Sequence, residues 1–412
     1  MVNTANRARD IVMTVLRYPF RPTEGLVPHP RYAQLREEGA PVRIRMPYGG
    51  EAWLVTRYAD VRTVLGDRRF SRAAAAGRDV PRARPPMDSP EQIISMDPPD
   101  HNRLRTLVAK EFTARRVQSL RPRVRQIVDT LLDALTDLVA RPGTPADLAA
   151  GLAWPLPVTV ICELLGIPAD GHDSVRTWTE MTLALGADTR HAEIADARDH
   201  LNTYLADLIA RRRTHPTGDL LSDLIAARDH ADKLSEEELV RLGVTLLISG
   251  HETTASQLGN FVYLLLSDRR HWQRLVADLT LIPRAVEELL RYTPMAASVD
   301  FARIAIEDVE LPGGRISAGE AVLVQLHAAN RDVTVFNRPD ELDLARTYNP
   351  HLAFGHGVHH CLGAPLARME LQVALTALTS RLPDLQLAVP PDEISWRSDR
   401  LVRGVRALPV TW

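Results

Sequence analysis

Cysteine is scarce in this chain of 412 residues, which contains only Cys162 and Cys361. Two cysteines are too few for a disulfide framework or for a zinc site with four cysteine ligands. The scarcity favours a reducing compartment, so the sequence predicts a cytoplasmic protein.

Long apolar runs and an excess of one charge sign are also missing. No stretch of about 18 uncharged apolar residues occurs, and the N-terminus lacks the apolar core of a signal peptide, so we expect no membrane anchor. The 50 Lys and Arg residues stand against 52 Asp and Glu residues, which gives a formal net charge of -2. This balance gives no reason to expect binding to nucleic acid.

Amphipathic helical patterns fill most of the sequence, and no internal repeat or linker divides it. We therefore predict a single, mainly helical domain over residues 1–412. Strand-like segments near 41–46, 52–56 and 300–325 indicate small β-sheets attached to the helical body. The proline- and arginine-rich run 71–90 is expected to form a long irregular loop, and such loops are often functional.

The longest helical pattern runs from Leu234 to Leu266 and opens with Ser235 and Glu238, whose spacing matches a capping box. A helix of roughly 30 residues is about 45 Å long and must cross a whole domain. Its apolar middle ends at the sequence Ser-Gly-His-Glu-Thr-Thr over 249–254. Because buried polar groups need partners or a purpose, this segment is a candidate functional site.

A glycine-rich turn surrounds Cys361, in the sequence Ala-Phe-Gly-His-Gly-Val-His-His-Cys-Leu-Gly-Ala-Pro over 353–365. A helix is predicted to follow from about Pro365 to Leu382, because proline is favoured in the first helical turn. Backbone N–H groups and a helix N-terminus stabilise negative charge, so we expect them to lower the pKa of Cys361. Glycines let the backbone approach closely and turn with positive φ. A thiolate in this setting suits an iron ligand, because N–H groups around the sulfur tune the potential of a haem.

Two other interpretations of this turn compete with iron ligation. Nearby histidines could join Cys361 in a zinc site, although adjacent histidines rarely converge on one tetrahedral metal. These histidines are His351, His356, His359 and His360. A structural cysteine normally lies in an apolar periodic segment, as Cys162 does over 158–165. Cys162 therefore fits the structural role, and Cys361 does not.

The spacing Phe354-Gly-x-Gly-x-His-x-Cys361-x-Gly363 closely resembles the cysteine-ligand signature of the cytochrome P-450 family. Further correspondences run in the same order from about Pro30 to the C-terminus. The resemblance implies a mainly α cytochrome P-450 fold, a triangular, helix-rich single domain with small β-sheets around a buried haem b. It also implies that Cys361 ligates the haem iron, with Phe354 and Gly363 in the cofactor-binding turn.

Glu288 and Arg291 lie three residues apart, so on a helix they would share one face and pair. In the family, an E-x-x-R pair at this place and an arginine before the cysteine loop form a structural ion network beneath the haem. Arg346 matches that arginine. Since breaking a buried charge pair costs about 3–5 kcal/mol, the resemblance implies a role in folding and haem retention.

A second set of matches concerns the haem propionates. His101 and Arg105 lie four apart on one face of a helix that follows two prolines, and they match the family's D-P-P-x-H-x-x-x-R donors. Arg303 and His359 resemble the remaining propionate contacts. Guanidinium binds carboxylate in a bidentate manner, which makes such contacts specific.

The long helix resembles the family's oxygen-binding helix, whose A/G-G-x-D/E-T-T/S motif reads Ser-Gly-His-Glu-Thr-Thr here. Gly250 is expected to leave space where a ligand of the haem approaches. Glu252 and Thr253 are implied as the catalytic pair that delivers protons, through water, to dioxygen. Ser249 stands where the family usually has alanine or glycine, so its hydroxyl would bond substrate, oxygen or the helix itself. Val333 replaces a proline that is common in the family, and we expect the fold to tolerate it.

These features predict a haem-thiolate monooxygenase that hydroxylates a small organic substrate in secondary metabolism. Electrons from NAD(P)H would arrive through ferredoxin and ferredoxin reductase, because the chain has no G-x-G-x-x-G fingerprint and no cysteine cluster for an iron–sulfur centre. A candidate docking patch for an acidic ferredoxin comprises Arg103, Arg115, Arg116 and Arg368.

The reaction outcome and the substrate stay open at this point. The same haem chemistry would support aryl coupling, epoxidation or desaturation, because the pocket chooses among outcomes. A non-catalytic haem sensor or carrier is a further alternative, but it leaves Glu252 and Thr253 unexplained. Matching positions predict a substrate pocket lined by Ile94, Leu246, Ser249, Met295, Ala297, Ser298, Val299 and Val402.

Overall fold

Helices dominate the molecule, as the sequence predicts. The computed structural model describes residues 15–20, 25–83, 92–137, 144–184, 191–229, 233–295, 301–397 and 400–412. The helices in these ranges are α1 (Arg31–Glu38), α2 (Tyr58–Gly66), α3 (Asp100–Ala109), α4 (Ala114–Asp137), α5 (Pro155–Leu165), α6 (His172–Thr182), α7 (His191–Thr214), α8 (Leu220–Asp229), α9 (Glu236–Ser267), α10 (Arg269–Ala277), α11 (Ile282–Tyr292), α12 (Leu326–Ala329) and α13 (Ala364–Arg381).

Short strands form three small sheets in the same ranges. They are β1 (Leu16–Arg17), β2 (Val42–Arg45), β3 (Glu51–Val55), β4 (Phe70–Ser71), β5 (Ala146–Asp147), β6 (Arg303–Ala305), β7 (Val309–Leu311), β8 (Gly314–Ile316), β9 (Ala321–Val324), β10 (Gln386–Leu387) and β11 (Pro409–Thr411). The largest sheet has the order β1-β2-β3-β9-β6-β4, and the others are β10-β11-β5 and β7-β8. The strands predicted near 41–46, 52–56 and 300–325 are therefore confirmed.

Helix α9 is the longest helix of the described residues and begins where the sequence predicts. The Ser235 hydroxyl accepts a hydrogen bond from the Glu238 N–H (3.0 Å), and the Glu238 carboxylate accepts one from the Ser235 N–H (2.8 Å). This capping box satisfies two N–H groups that the first turn leaves without helical partners. Helices α5 and α7 pack against α9, so its middle is buried. None of the described helices combines the length and the apolar character needed to cross a bilayer.

Cys162 lies in α5 with none of its surface exposed, inside the main hydrophobic core. Burial raises the pKa of its thiol to about 12. A thiol that stays protonated in an apolar setting is inert, which agrees with the structural role predicted for Cys162.

Close packing between α5 and α9 gives a reason for a glycine at position 250. A Cβ added at Gly250 would lie 2.6 Å from Ile161 Cγ1 and 2.7 Å from Ile161 Cδ1. The missing side chain therefore lets α9 approach α5. A Cβ at Gly250 would point at this neighbouring helix, so packing accounts for the glycine, and its role in leaving space for a ligand of the haem stays a prediction.

Gly250→Ala should destabilise the protein, because overpacking a core contact costs about 1–3 kcal/mol, which exceeds the roughly 1 kcal/mol that alanine gains in helix propensity. Gly218→Ala is the matched control, since an added Cβ there would meet no atom within 4 Å. Denaturant unfolding would compare the two variants. Adding Ile161→Ala should relieve the clash, so the double variant should lose less stability than the two single losses combined. Equal stability of the two glycine variants would contradict this account of the packing.

Candidate active site

The turn before α13 depends on two glycines with left-handed backbone. Gly355 and Gly357 have φ angles of 73° and 72°, a conformation that other residues rarely adopt. A Cβ at Gly357 would also clash with the carbonyl of Leu65, because the turn packs directly on the end of α2. The Cys361 N–H then donates to the Phe354 carbonyl (2.9 Å), which closes the turn.

Cys361 lies just before the N-terminus of α13. The N–H groups of Gly363 and Ala364 donate to its sulfur, and Arg105 and Arg368 also favour the thiolate. Burial outweighs these effects and raises the pKa of Cys361, so the prediction of a lowered pKa is wrong for the protein alone. The residue still has accessible surface. A metal ion at the sulfur would replace the proton, because a coordinated thiol is deprotonated.

The histidines near Cys361 do not converge on a metal. His351 Nε2 lies 3.0 Å from a carboxylate oxygen of Glu287, and His356 Nε2 accepts a hydrogen bond from Arg62 (3.4 Å). Among the residues that the structure describes, no group of three His, Cys, Asp or Glu side chains is arranged to hold a metal ion. The zinc alternative therefore has no support.

A cluster of basic side chains adjoins the cysteine turn and consists of His101, Arg105, Arg303 and His359. The ring centroids of His101 and His359 are 4.4 Å apart, and Arg105 Nη2 donates to the carbonyl of His360 (2.7 Å). Burial, reinforced by the neighbouring cations, lowers the pKa of His359 to about 3 and that of Arg303 to about 9. The structure thus brings the four predicted propionate contacts together beside the cysteine turn.

This cluster needs negative charge. The buried Nε2 of His359 has no hydrogen-bond partner, and Arg303, only 5% exposed, makes no ion pair or hydrogen bond within the described ranges. Buried cations and donors are costly without compensation. The two carboxylates of a haem would supply it. A Cβ at Gly363 would meet no protein atom within 4 Å, which leaves room for a flat group against the turn. The residues present therefore fit haem.

A second charge cluster joins α11 to the segment that precedes the cysteine turn. Glu288 and Arg291 are completely buried and share two hydrogen bonds of 2.8 Å. Arg346 Nε and the Asp343 N–H each donate to Glu288 at 2.9 Å. Backbone carbonyls accept hydrogen bonds from the Arg291 guanidinium. The structure thus brings together the three residues that the sequence predicts as an ion network.

Glu252 and Thr253 lie side by side in the middle of α9. The Glu252 side chain is completely buried, and Arg397 Nη1 donates to its Oε1 at 3.1 Å. Arg397 Nη2 also reaches Glu180 at 3.4 Å. Thr253 Oγ1 donates to the Ser249 carbonyl at 3.4 Å, which is long for a hydrogen bond between oxygens. The pair therefore combines a carboxylate held by an ion pair with a hydroxyl that is only weakly held.

The two departures from the family pattern are both accommodated. The Ser249 hydroxyl donates to the Thr245 carbonyl of its own helix, which is one of the three partners that the sequence allows. Val333 is 70% exposed, and its side chain is accommodated at the surface as expected.

Comparison with known proteins agrees with this geometry. The family model described as Cytochrome P-450 matches residues 13–395. The chain belongs to the cytochrome P-450 family. It is therefore a P-450 monooxygenase, and the family implies a haem iron at the site described above.

Relatives of this P-450 come from bacterial secondary metabolism. The nocardicin C N-oxygenase of Nocardia uniformis subsp. tsuyamanensis is 52% identical over 96% of this chain and 98% of the relative. The mycinamicin IV hydroxylase/epoxidase of Micromonospora griseorubida is 50% identical over 96% of this chain and 98% of the relative. Among solved structures, cytochrome P-450mel 107F1 with biaryl coupling reactivity matches with a TM-score of 0.92 at 46% identity, over 97% of this chain and 100% of that chain.

The predicted substrate pocket of this P-450 is partly described. The Arg403 N–H donates to the Met295 carbonyl (2.7 Å), and the Leu401 N–H donates to the Leu183 carbonyl (3.1 Å). These bonds hold Val402, which is 6% exposed, between the end of α6 and the segment after α11. Met295 and Val402 are therefore close neighbours, as the pocket prediction requires.

The other pocket positions lie on separate elements. Ile94 lies in a short 3-10 turn before α3, and Leu246 lies on α9 with 9% exposure. Ala297, Ser298 and Val299 lie outside the described residues, so their predicted role stays a prediction.

Two supports of the site were not predicted from the sequence. Burial alone raises the pKa of Glu287, but hydrogen bonds from His351 and Arg368 bring it down to about 2. Arg368 also stacks on the Phe354 ring at 4.4 Å, which fixes the cysteine turn. The sequence did contain a signal for Glu287, because it directly precedes Glu288 in α11. Arg397 had no such signal, because it lies 145 residues from Glu252 in the sequence.

Proposed function

We propose that this P-450, as a single domain over residues 1–412, hydroxylates a small organic molecule with dioxygen, using haem b held by Cys361. The observation that carries the proposal is the bond from Arg105 to the His360 carbonyl, because it joins the carboxylate-binding cluster to the cysteine turn. Haem bound there supplies the activation of oxygen, assisted by electron donation from a thiolate ligand.

Each part of the site has a definite task in this proposal. His101, Arg105, Arg303 and His359 bind the haem carboxylates and orient the cofactor. The N–H groups that donate to the Cys361 sulfur stabilise its negative charge and are a lever on the haem potential. These contacts fix the position at which the substrate reacts.

Protons reach the reacting oxygen through Glu252 and Thr253 in this proposal. The weak bond from Thr253 Oγ1 to the Ser249 carbonyl lets the hydroxyl turn toward another acceptor. Arg397 holds the Glu252 carboxylate and contacts Glu180, which forms an ion pair with Arg176 at 3.6 Å. These four charges lead from the buried acid to the partly exposed side chains of Glu180 and Arg176.

Hydroxylation is the preferred outcome because the Ser249 hydroxyl already donates its proton within α9. Its side chain is bonded to the Thr245 carbonyl of its own helix. Aryl coupling, epoxidation or desaturation is the second candidate. The relatives named for N-oxygenation, epoxidation and biaryl coupling favour it, because the same haem chemistry gives different products in different pockets.

Electrons come from NAD(P)H through ferredoxin and ferredoxin reductase in this proposal of a cytoplasmic enzyme. Three of the four arginines predicted to form the docking patch are paired with carboxylates, in the contacts Arg103–Glu238, Arg116–Glu111 and Arg368–Glu287. Arg115 is exposed and makes no ion pair within the described residues. The patch therefore has less free charge than the sequence indicates, and ferredoxin binding depends most on Arg115.

Turnover under isotopically labelled dioxygen should distinguish the two outcomes. The substrate would be a compound that shifts the haem spin state on binding. Hydroxylation should insert one labelled oxygen atom into a C–H bond of the product. Aryl coupling and desaturation should each remove two hydrogen atoms without label, and epoxidation should add label across a double bond. A main product without label would contradict hydroxylation.

Thr253→Ala should uncouple reductant consumption from product formation, because the hydroxyl that relays protons is lost. The product formed per NAD(P)H consumed should fall by about tenfold or more. The control is Thr177→Ala, which removes a hydroxyl bonded to the carbonyl four residues earlier on the exposed face of α6. Full coupling in Thr253→Ala would remove Thr253 from the mechanism.

A further inference from the structure

Arg403 directly follows Val402, at the edge of the predicted substrate pocket. Its backbone N–H donates to the Met295 carbonyl (2.7 Å), and its own carbonyl accepts a hydrogen bond from the Asn260 side chain (2.9 Å). The guanidinium lies over the Trp396 ring at 5.9 Å. Arg403 is therefore held by the segment after α11 and by α9, with an aromatic ring along its side chain.

The positive charge of Arg403 has no counter-charge. The residue is partly buried, and within the described residues its side chain makes no ion pair and no hydrogen bond. Burial lowers its pKa to about 10, so the guanidinium stays protonated at neutral pH. The described group that opposes this effect is Tyr32, whose own pKa is raised by burial, so its hydroxyl is neutral at that pH. Arg397, by contrast, is paired with the Glu252 carboxylate at 3.1 Å.

The surroundings of Arg403 carry a surplus of positive charge. His327 in α12 is 8% exposed, and its buried Nε2 has no hydrogen-bond partner within the described part of the chain. Burial and then three nearby arginines lower the pKa of His327 to about 3. Two of these arginines have partners in the protein, because Arg36 donates to a backbone carbonyl of α12 at 3.3 Å and Arg331 pairs with Asp340 at 2.9 Å. The third is Arg403.

Apolar residues of the predicted substrate loop adjoin this region. The ring centroids of Tyr32 and His327 are 4.6 Å apart, and Tyr32 belongs to the apolar cluster that contains Ala75 and Ala302. Ala75 lies in the loop predicted over 71–90, and Ala302 lies between β6 and the predicted pocket positions. A ligand here would meet apolar side chains along its body and one cation at its end, an arrangement that fixes orientation and specificity.

We infer that Arg403 binds a carboxylate of the substrate, so that the substrate class of this enzyme is an apolar organic acid. The inference rests on the proposed function and on the predicted pocket. One guanidinium matches one carboxylate in charge and in bidentate geometry. A phosphate monoester would bring about two negative charges against a single cation. Arg403 is thus a specificity-determining residue.

Spin-state titration of the holoprotein with phenylalkanoic acids of increasing chain length and with their methyl esters tests this assignment. At least one acid should bind about tenfold more tightly than its ester, because the ester lacks the charge-assisted hydrogen bonds. Arg403→Gln should weaken binding of that acid about tenfold and leave binding of the ester unchanged. Arg403→Lys should give an intermediate affinity for the acid, because it keeps the charge and loses the bidentate geometry.

Arg36→Gln is the matched control. It removes another positive charge that acts on His327, but the Arg36 guanidinium already has a carbonyl partner in the protein. The preference for the acid should therefore survive in Arg36→Gln, which separates direct contact from the general positive charge of the region. Arg403→Lys is the test variant if Arg403→Gln fails to fold.

The inference would be overturned if no acid bound more tightly than its ester to the wild-type protein. An undiminished preference for the acid in Arg403→Gln, or in Arg403→Lys where that variant replaces it, would overturn it as well. An equal loss of preference in Arg36→Gln would assign the effect to the charge of the whole region and contradict direct binding. Failure of the proposed function would instead appear as a wild-type carbonyl spectrum without thiolate ligation.

Discussion

The burial of positive charge without enough negative charge is the constraint on which this structure depends. Arg303 is a buried cation beside His101 and His359, and the neutral thiol of Cys361 adds no counter-charge. An uncompensated buried cation costs several kcal/mol, so such a cluster is favourable only with an anionic ligand. Haem carries two carboxylates and a metal that binds a thiolate, so one group satisfies both the basic cluster and the cysteine. Stability of the fold and binding of the cofactor are therefore coupled.

Elsewhere the protein compensates its own buried charges, and the contrast separates structural from ligand-binding groups. Arg291 and Arg346 enclose Glu288, and every one of these charges has a partner within the chain. Glu252 has a partner in Arg397, yet it neighbours a hydroxyl that is only weakly bonded. A closed network of this kind holds the fold, whereas an ion pair beside an adaptable donor suits proton transfer.

Short sequence patterns predicted several local features of this molecule. The capping box before α9, the glycine turn before α13 and the Glu288–Arg291 pair are short patterns whose geometry follows from helix and turn stereochemistry. Other features depend on tertiary packing, which spacing does not report. Arg397 meets Glu252 only because the C-terminal segment folds back over α9. Gly250 belongs to a familiar motif, yet its neighbour Ile161 is on another helix, so the motif alone does not report this packing contact.

The carbonyl spectrum of the reduced protein tests most directly the claim that Cys361 ligates a haem iron. Wild-type protein should show the large red shift of the Soret band that thiolate ligation produces. Cys162→Ala should keep that band, because Cys162 is a protonated core thiol. Cys361→Ala should abolish it. A wild-type Soret band without the red shift, or a shifted band that survives in Cys361→Ala, would contradict the account.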